Sequence, residues 1–124
     1  DVFFNLVSKY NNDNATFLAY KGAAITLKSK FASKSERKEL FVQGVTMVEK
    51  AIKKEPNNAE VRLIRLSIQE NTPKILKYKS NIDEDKKVLI ETFDKQSKDL
   101  KEYIKKYCKQ STVFTTVETK SILN

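Results

Sequence analysis

Histidine and tryptophan do not occur in this sequence, cysteine and methionine occur once each, and glycine and proline twice each. Without histidine, a His-based catalytic triad or a His-ligated zinc site is excluded. A single cysteine, Cys108, cannot form an intramolecular disulfide, and cysteine usage leaves the redox compartment open. Sheet proteins with many tight turns need more glycine and proline than this, so the scarcity favours long helices. The longest uncharged apolar runs, such as Gly22 to Leu27, fall far short of the ~20 residues that span a bilayer. The chain opens on Asp1 rather than Met, which leads us to expect a missing N-terminal piece, either a cleaved signal peptide or a choice of boundaries.

What is present fits one domain over residues 1–124, with 40% apolar and 32% charged residues, an ordinary balance for a chain that closes a core. The formal net charge is +8. That invites a nucleic-acid reading, but only three of the 24 basic residues are Arg, the commonest reader of base edges. The lysines are interleaved with acids along most of the chain. A solvated surface explains them, and the sharper alternative is attraction to an acidic partner or an anionic surface. No specific nucleic-acid partner is expected.

Hydrophobic periodicity predicts a helix over 2–10 through Phe3, Leu6, Val7 and Tyr10, stopped by the cluster Asn11 to Asn14. A second helix is expected from Ala15 to Phe31, burying Phe17, Tyr20, Ala24, Leu27 and Phe31. A third is expected to start with a Ser33–Glu36 capping box and to stop at Glu55-Pro56, with Leu40, Gly44, Met47, Val48, Ala51 and Ile52 as its stripe. Gly44 and the Gly22-Ala23-Ala24 patch suggest a close crossing of these two helices. Asn57 and Glu60 suggest a cap for a fourth helix, Ala59 to Glu70. Its apolar residues cover more than half the circumference, as in a helix packed on two sides. Residues 74–80 read as a helical turn or loop. Ser80–Asp83 would open a helix to Phe93, carrying Ile82 and Leu89. Leu100, Tyr103, Ile104, Tyr107 and Cys108 mark another, and Thr115–Glu118 would cap a short last one with Val117, Ile122 and Leu123. Only Ser111 to Thr116 suggests extended chain.

The segment GVTMVEKAIKKEPNNAE, Gly44 to Glu60, resembles the second half of a tetratricopeptide repeat, with Gly44, Val48, Ala51 and Pro56 at the repeat's small, bulky, Ala and Pro positions. Tyr20, Ala23, Ala24 and Leu27 match the spacing of its first helix. The connecting segment is about eight residues longer than the 34-residue repeat allows. In the next helix Arg62, Arg65 and Leu66 stand where an aromatic, a Leu and a Gly are usual. Leu18 to Phe93 also resembles small tetratricopeptide-like proteins of Bacteroidetes of unknown role, through LAYKGAA, PNNAEVRLIR and a Gln-x-Asn-x-Pro stop. The resemblance implies an all-α, right-handed array of five to seven antiparallel helices, a concave groove lined by the first helix of each pair, and export to the periplasm or cell envelope.

Arg62, Arg65 and Gln69 share one helical face, spaced i, i+3, i+7. By the resemblance they line the groove, where planar guanidinium groups could clamp a peptide carboxylate or a phosphate, with Lys21 and Lys28 extending the surface. The competing reading is an internal ion-pair network with Glu49, Glu84 or Asp85. The acids Asp83 to Asp85 point in different directions and suit a helix N-terminus rather than a metal. Cys108, on an apolar stripe, reads as a structural thiol. Asn14-Ala15-Thr16 matches a glycosylation sequon. The basic stretch Lys98 to Lys109 could rest on acidic lipid, although Asp99 and Glu102 dilute it. The sequence thus suggests a non-enzymatic, cofactor-free module without a metal that binds a protein or peptide beside Arg62, Arg65 and Gln69, an acidic partner being the one its positive charge suits. The alternatives are an anion pocket, in a carrier or an enzyme, at the same arginines, and a purely structural domain.

Overall fold

A computed structural model describes residues 14–123. The helix expected over 2–10 lies outside the described residues. Within them the chain is all-helical, with six α-helices and no strand: α1 Ala15–Ser29, α2 Lys34–Lys54, α3 Ala59–Asn71, α4 Ile82–Thr92, α5 Lys98–Gln110 and α6 Thr116–Leu123. Single 3₁₀ turns follow α3 (Lys74–Leu76) and α4 (Phe93–Lys95). Of the stretch Ser111 to Thr116 expected to be extended, residues 111–115 are irregular chain and Thr116 begins α6; none of it is a strand.

The helix starts follow from side chains that satisfy the first free amides. Asn14 caps α1, its Oδ1 accepting from the amides of Thr16 at 2.7 Å and Phe17 at 3.2 Å. Asn58, not the expected Asn57, caps α3 through the Val61 amide at 3.1 Å. Ser97 caps α5 through Leu100. Of the three expected hydroxyl–acid caps only Thr115–Glu118 forms: the Thr115 amide donates to Glu118 and the Glu118 amide to the Thr115 hydroxyl. The Ser33 hydroxyl meets Ser35 instead of capping α2, and α4 starts at Asn81 without a side-chain bond. Proline ends α2 and α3 where expected: Glu55 leaves the helix before Pro56, and Thr72 before Pro73.

α1 and α2 form a tight antiparallel hairpin. The face of α1 turned inward carries Ala15, Ala19, Gly22, Thr26 and Ser29, a 4–3–4–3 spacing of small residues. The expected stripe of bulky residues is corrected: only its Tyr20 is buried, while Ala24, Leu27 and Phe31 are exposed, and α1 ends before Phe31. Small side chains let the backbones meet. A Cβ placed on Gly22 would lie 2.5 Å from the Gly44 carbonyl oxygen, and one on Gly44 would lie 2.7 Å from that of Gly22. The expected crossing at these glycines is present.

α3 is the shared element. Val61 and Ile64 join Ala15, Ala19, Tyr20, Ala51 and Ile52 in one apolar cluster. Ala59, Leu63 and Leu66 join Leu89, Phe93, Ile104, Cys108, Phe114 and Ile122 in the other. Its last side carries Arg62, Arg65 and Gln69, all buried. Two-sided covering was legible in its apolar spread; burial on the third side was not.

Candidate functional site

The arginine face of α3 points into the joint with α4 and α2. Arg62 and Arg65 are 6% and 2% exposed, and Asp85 is wholly buried. Arg65 Nε lies 3.0 and 3.2 Å from the two Asp85 oxygens, and its Nη2 is 2.8 Å from Oδ1. Its remaining donors reach Glu49 at 2.8 Å and Glu84 at 2.7 Å. Arg62 donates to Glu84, to Asp85 and, through Nε, to the Pro56 carbonyl at 2.7 Å. Gln69 completes the set, its amide nitrogen on Asp85 at 2.7 Å and its oxygen accepting the Asn81 amide at 2.7 Å. Tyr78 donates to the outer oxygen of Glu49 and stands edge-on to Phe41.

The electrostatics follow from this geometry. Burial alone would lower the Arg65 pKa, but the Asp85 bond and the charges of Asp85 and Glu49 outweigh it and raise it further. Hydrogen bonds from Arg62 and Arg65 hold the Glu84 carboxyl below its ordinary range. Burial, reinforced by Glu49, pushes the Tyr78 hydroxyl up. Two guanidinium cations face three carboxylates, a formal excess of one negative charge. The anion-clamp expectation at Arg62, Arg65 and Gln69 is therefore corrected. These groups are enclosed, already bound, and set in a negative surrounding. The competing expectation of an ion-pair network describes them, with all three acids named for it taking part. Lys21 and Lys28 are exposed on α1, away from this network.

An open cleft lies elsewhere, where α1, the start of α2, the end of α3 and the following 3₁₀ turn meet. Its volume is about 440 Å³. Ala23, Leu27, Phe41, Ile68, Pro73 and Leu76 supply its apolar wall, and Thr26, Ser29, Ser67, Asn71 and Thr72 add hydroxyl and amide groups. The charged residues along it, Lys30 and Arg37, are both cationic. None of the residues expected to bind lines it. A signal did exist: Ala23 and Leu27 lie off the small-residue face of α1, as Ile68 lies off the arginine face of α3. Assigning the bulky residues to the core hid it.

Other ionisable groups inside are also matched. Glu70 accepts from Tyr107 at 2.7 Å and Ser111 at 2.6 Å, tying α3 to the end of α5. Lys86 reaches Glu118 at 3.0 Å and the Val113 carbonyl at 2.8 Å, tying α4 to α6. Burial pushes the Cys108 thiol up to about 11, which keeps it protonated and unreactive. Among the described residues no buried side-chain nitrogen or oxygen lacks a partner, and no cluster of three or more His, Cys, Asp or Glu could hold a metal. The sequon at Asn14 is engaged as a helix cap, and Thr16 is buried with its hydroxyl accepting from Asn58. No helix among the described residues is long and apolar enough to cross a membrane. Compared with protein-family models, curated proteins and solved structures, the chain matches none.

Proposed function

We propose that this chain is a non-enzymatic binding module that holds a segment of a partner protein in the cleft between α1 and α3. The observation that carries the reading is the cleft itself: concave, walled by apolar side chains, and edged by Lys30 and Arg37 with no acid along it. Its volume is within the range of about 300–1,000 Å³ typical of ligand sites. The apolar wall continues outward to Leu27, which is 55% exposed. A small molecule filling the hollow would leave that edge wet, whereas a peptide covers both. The tetratricopeptide resemblance, under which α1 and α3 would be the first helices of successive pairs, implies a groove between them. The cationic edge favours a segment that carries a carboxylate beside a bulky apolar residue.

The non-enzymatic part of the reading rests on where the ionisable groups go. Each buried charge is engaged by a neighbouring helix, in an arrangement that locks helices rather than presenting a group to a substrate.

Selection of a displayed random-peptide library tests this reading. Selected peptides should contain an apolar residue next to an acid. Their affinity, by fluorescence polarisation, should fall at least tenfold with Leu27→Glu or Ile68→Glu and stay unchanged with Lys21→Glu. A library that yields no binder, or binders indifferent to Leu27→Glu and Ile68→Glu, rejects the cleft.

A further inference from the structure

Two bulky apolar side chains lie almost fully in water at one end of the bundle. Phe31, in the α1–α2 turn, is 84% exposed, and Ile75, in the 3₁₀ turn after α3, is 85% exposed. Neither lines the cleft, but each adjoins a residue that does, Lys30 and Leu76, so the two turns flank the same mouth. Both turns are basic. Lys28, Lys30, Lys34, Arg37 and Lys38 surround Phe31 in sequence, and Lys74 and Lys77 flank Ile75; all are exposed. Glu36 and Glu39 are the exposed acids among them. Of the other large exposed apolar groups, Leu27 belongs to the cleft wall, and Val42, Tyr103 and Val117 are scattered over α2, α5 and α6 and need no explanation of this kind.

We propose that this end of the molecule docks on an anionic lipid surface, with Phe31 and Ile75 entering the headgroup region and the surrounding lysines facing the lipid phosphates and carboxylates. Three features select a membrane as the occupant. Charge is complementary: juxtaposed cations draw a protein to the negative surface of a bilayer. Shape fits: two side chains projecting from separate turns suit a plane, where a knob from a partner protein needs a hollow. Chemistry fits: these cations are lysines except for Arg37, point charges that serve a diffuse field better than paired, bidentate recognition. A second copy of the chain is disfavoured, because it would bring two like-charged ends together. Basic attraction combined with an apolar anchor supplies the two signals that stable peripheral binding requires. The proposal shares Lys30 and Arg37 with the edge of the cleft but uses none of its apolar wall.

The test is co-sedimentation of the whole chain with phosphatidylserine-containing phosphatidylcholine vesicles and with phosphatidylcholine alone. We expect at least tenfold stronger partitioning onto the anionic vesicles, reversed by salt. The Phe31→Ser/Ile75→Ser double variant should partition on the order of tenfold more weakly. Neutralising Lys28 or Lys34 to Gln should cost about fivefold each. Val117→Ser, which removes an exposed apolar group elsewhere, should behave as the unmodified chain. All these positions are exposed, and matching circular dichroism and melting curves establish that the variants fold. The proposal is overturned by equal partitioning onto both vesicle types, by a double variant that binds as well as the unmodified chain, or by an equal loss in Val117→Ser. Binding to polyglutamate in place of vesicles overturns it too, and assigns the patch to an acidic protein.

Discussion

Arg65 holds Asp85 across the α3–α4 joint with its Nε shared between both carboxylate oxygens and its Nη2 2.8 Å from one of them. Asp85 is wholly buried and also accepts from Arg62 and Gln69. Removing the carboxylate takes away the one fully buried counter-charge of two enclosed cations and leaves them the half-exposed Glu84 and Glu49. Asp85→Ala should therefore destabilise the fold by roughly 3–5 kcal/mol, whereas Glu84→Ala, whose side chain is half exposed, should cost about 1 kcal/mol or less. Urea unfolding followed by circular dichroism checks both. Equal costs for the two substitutions would mean that the joint is not organised around Asp85.

The glycine crossing gives a prediction opposed to helix propensity. Alanine at position 44 would favour an isolated helix by about 1 kcal/mol. Here its Cβ would meet Thr26 Cγ2 at 2.6 Å and the Gly22 carbonyl oxygen at 2.7 Å, contacts that involve backbone and cannot relax cheaply. Gly44→Ala should therefore be net destabilising by about 1–3 kcal/mol, read from the urea midpoint. A stabilised variant would show that α1 and α2 pack farther apart.

Acid should weaken the fold in a defined window. Glu84, Glu70 and Glu118 all titrate below their ordinary 4.5 in the folded chain. Hydrogen bonds from Arg62 and Arg65 lower the first. In Glu70, burial opposes the shift, but bonds from Ser111 and Tyr107 outweigh it. In Glu118, burial likewise opposes it, and the Thr115 amide and Lys86 prevail. Depressed carboxylates contribute stability that is complete above the unfolded value and lost as pH falls through the folded ones. The urea midpoint should hold steady from neutral pH to about pH 5 and then decline. Glu84→Gln should start lower at neutral pH and decline less steeply below 4.5. A Glu84→Gln curve parallel to that of the unmodified chain would remove Glu84 from this account.

These predictions rest on features that were unevenly legible in the sequence. Helix number, the proline stops and the Gly22–Gly44 approach could be read directly, because proline geometry and the steric demand of a missing Cβ act locally. The buried face of α1 could not. A search for bulky periodicity finds Phe17, Leu27 and Phe31, while the packing used Ala15, Ala19 and Thr26, whose small size permits the close hairpin. Ser33–Glu36 and Thr115–Glu118 share one spacing, yet only the second pair bonds, since the Ser33 hydroxyl has a competing neighbour in Ser35. The arginines admitted two readings in sequence, with the internal ion-pair network the favoured one. Their outcome depended on which side of α3 receives α4, a tertiary fact with no local signature.

The account assigns the arginine face of α3 to holding helices together and the C-terminal end of α3, with α1, to recognition. Titrating a library-selected peptide into the ¹⁵N-labelled chain separates the two directly. The account predicts that the amide signals of Ala23, Thr26, Ile68 and Thr72 shift while the Nε–Hε signals of Arg62 and Arg65 stay fixed. Movement of the arginine signals with the cleft amides unchanged would contradict it.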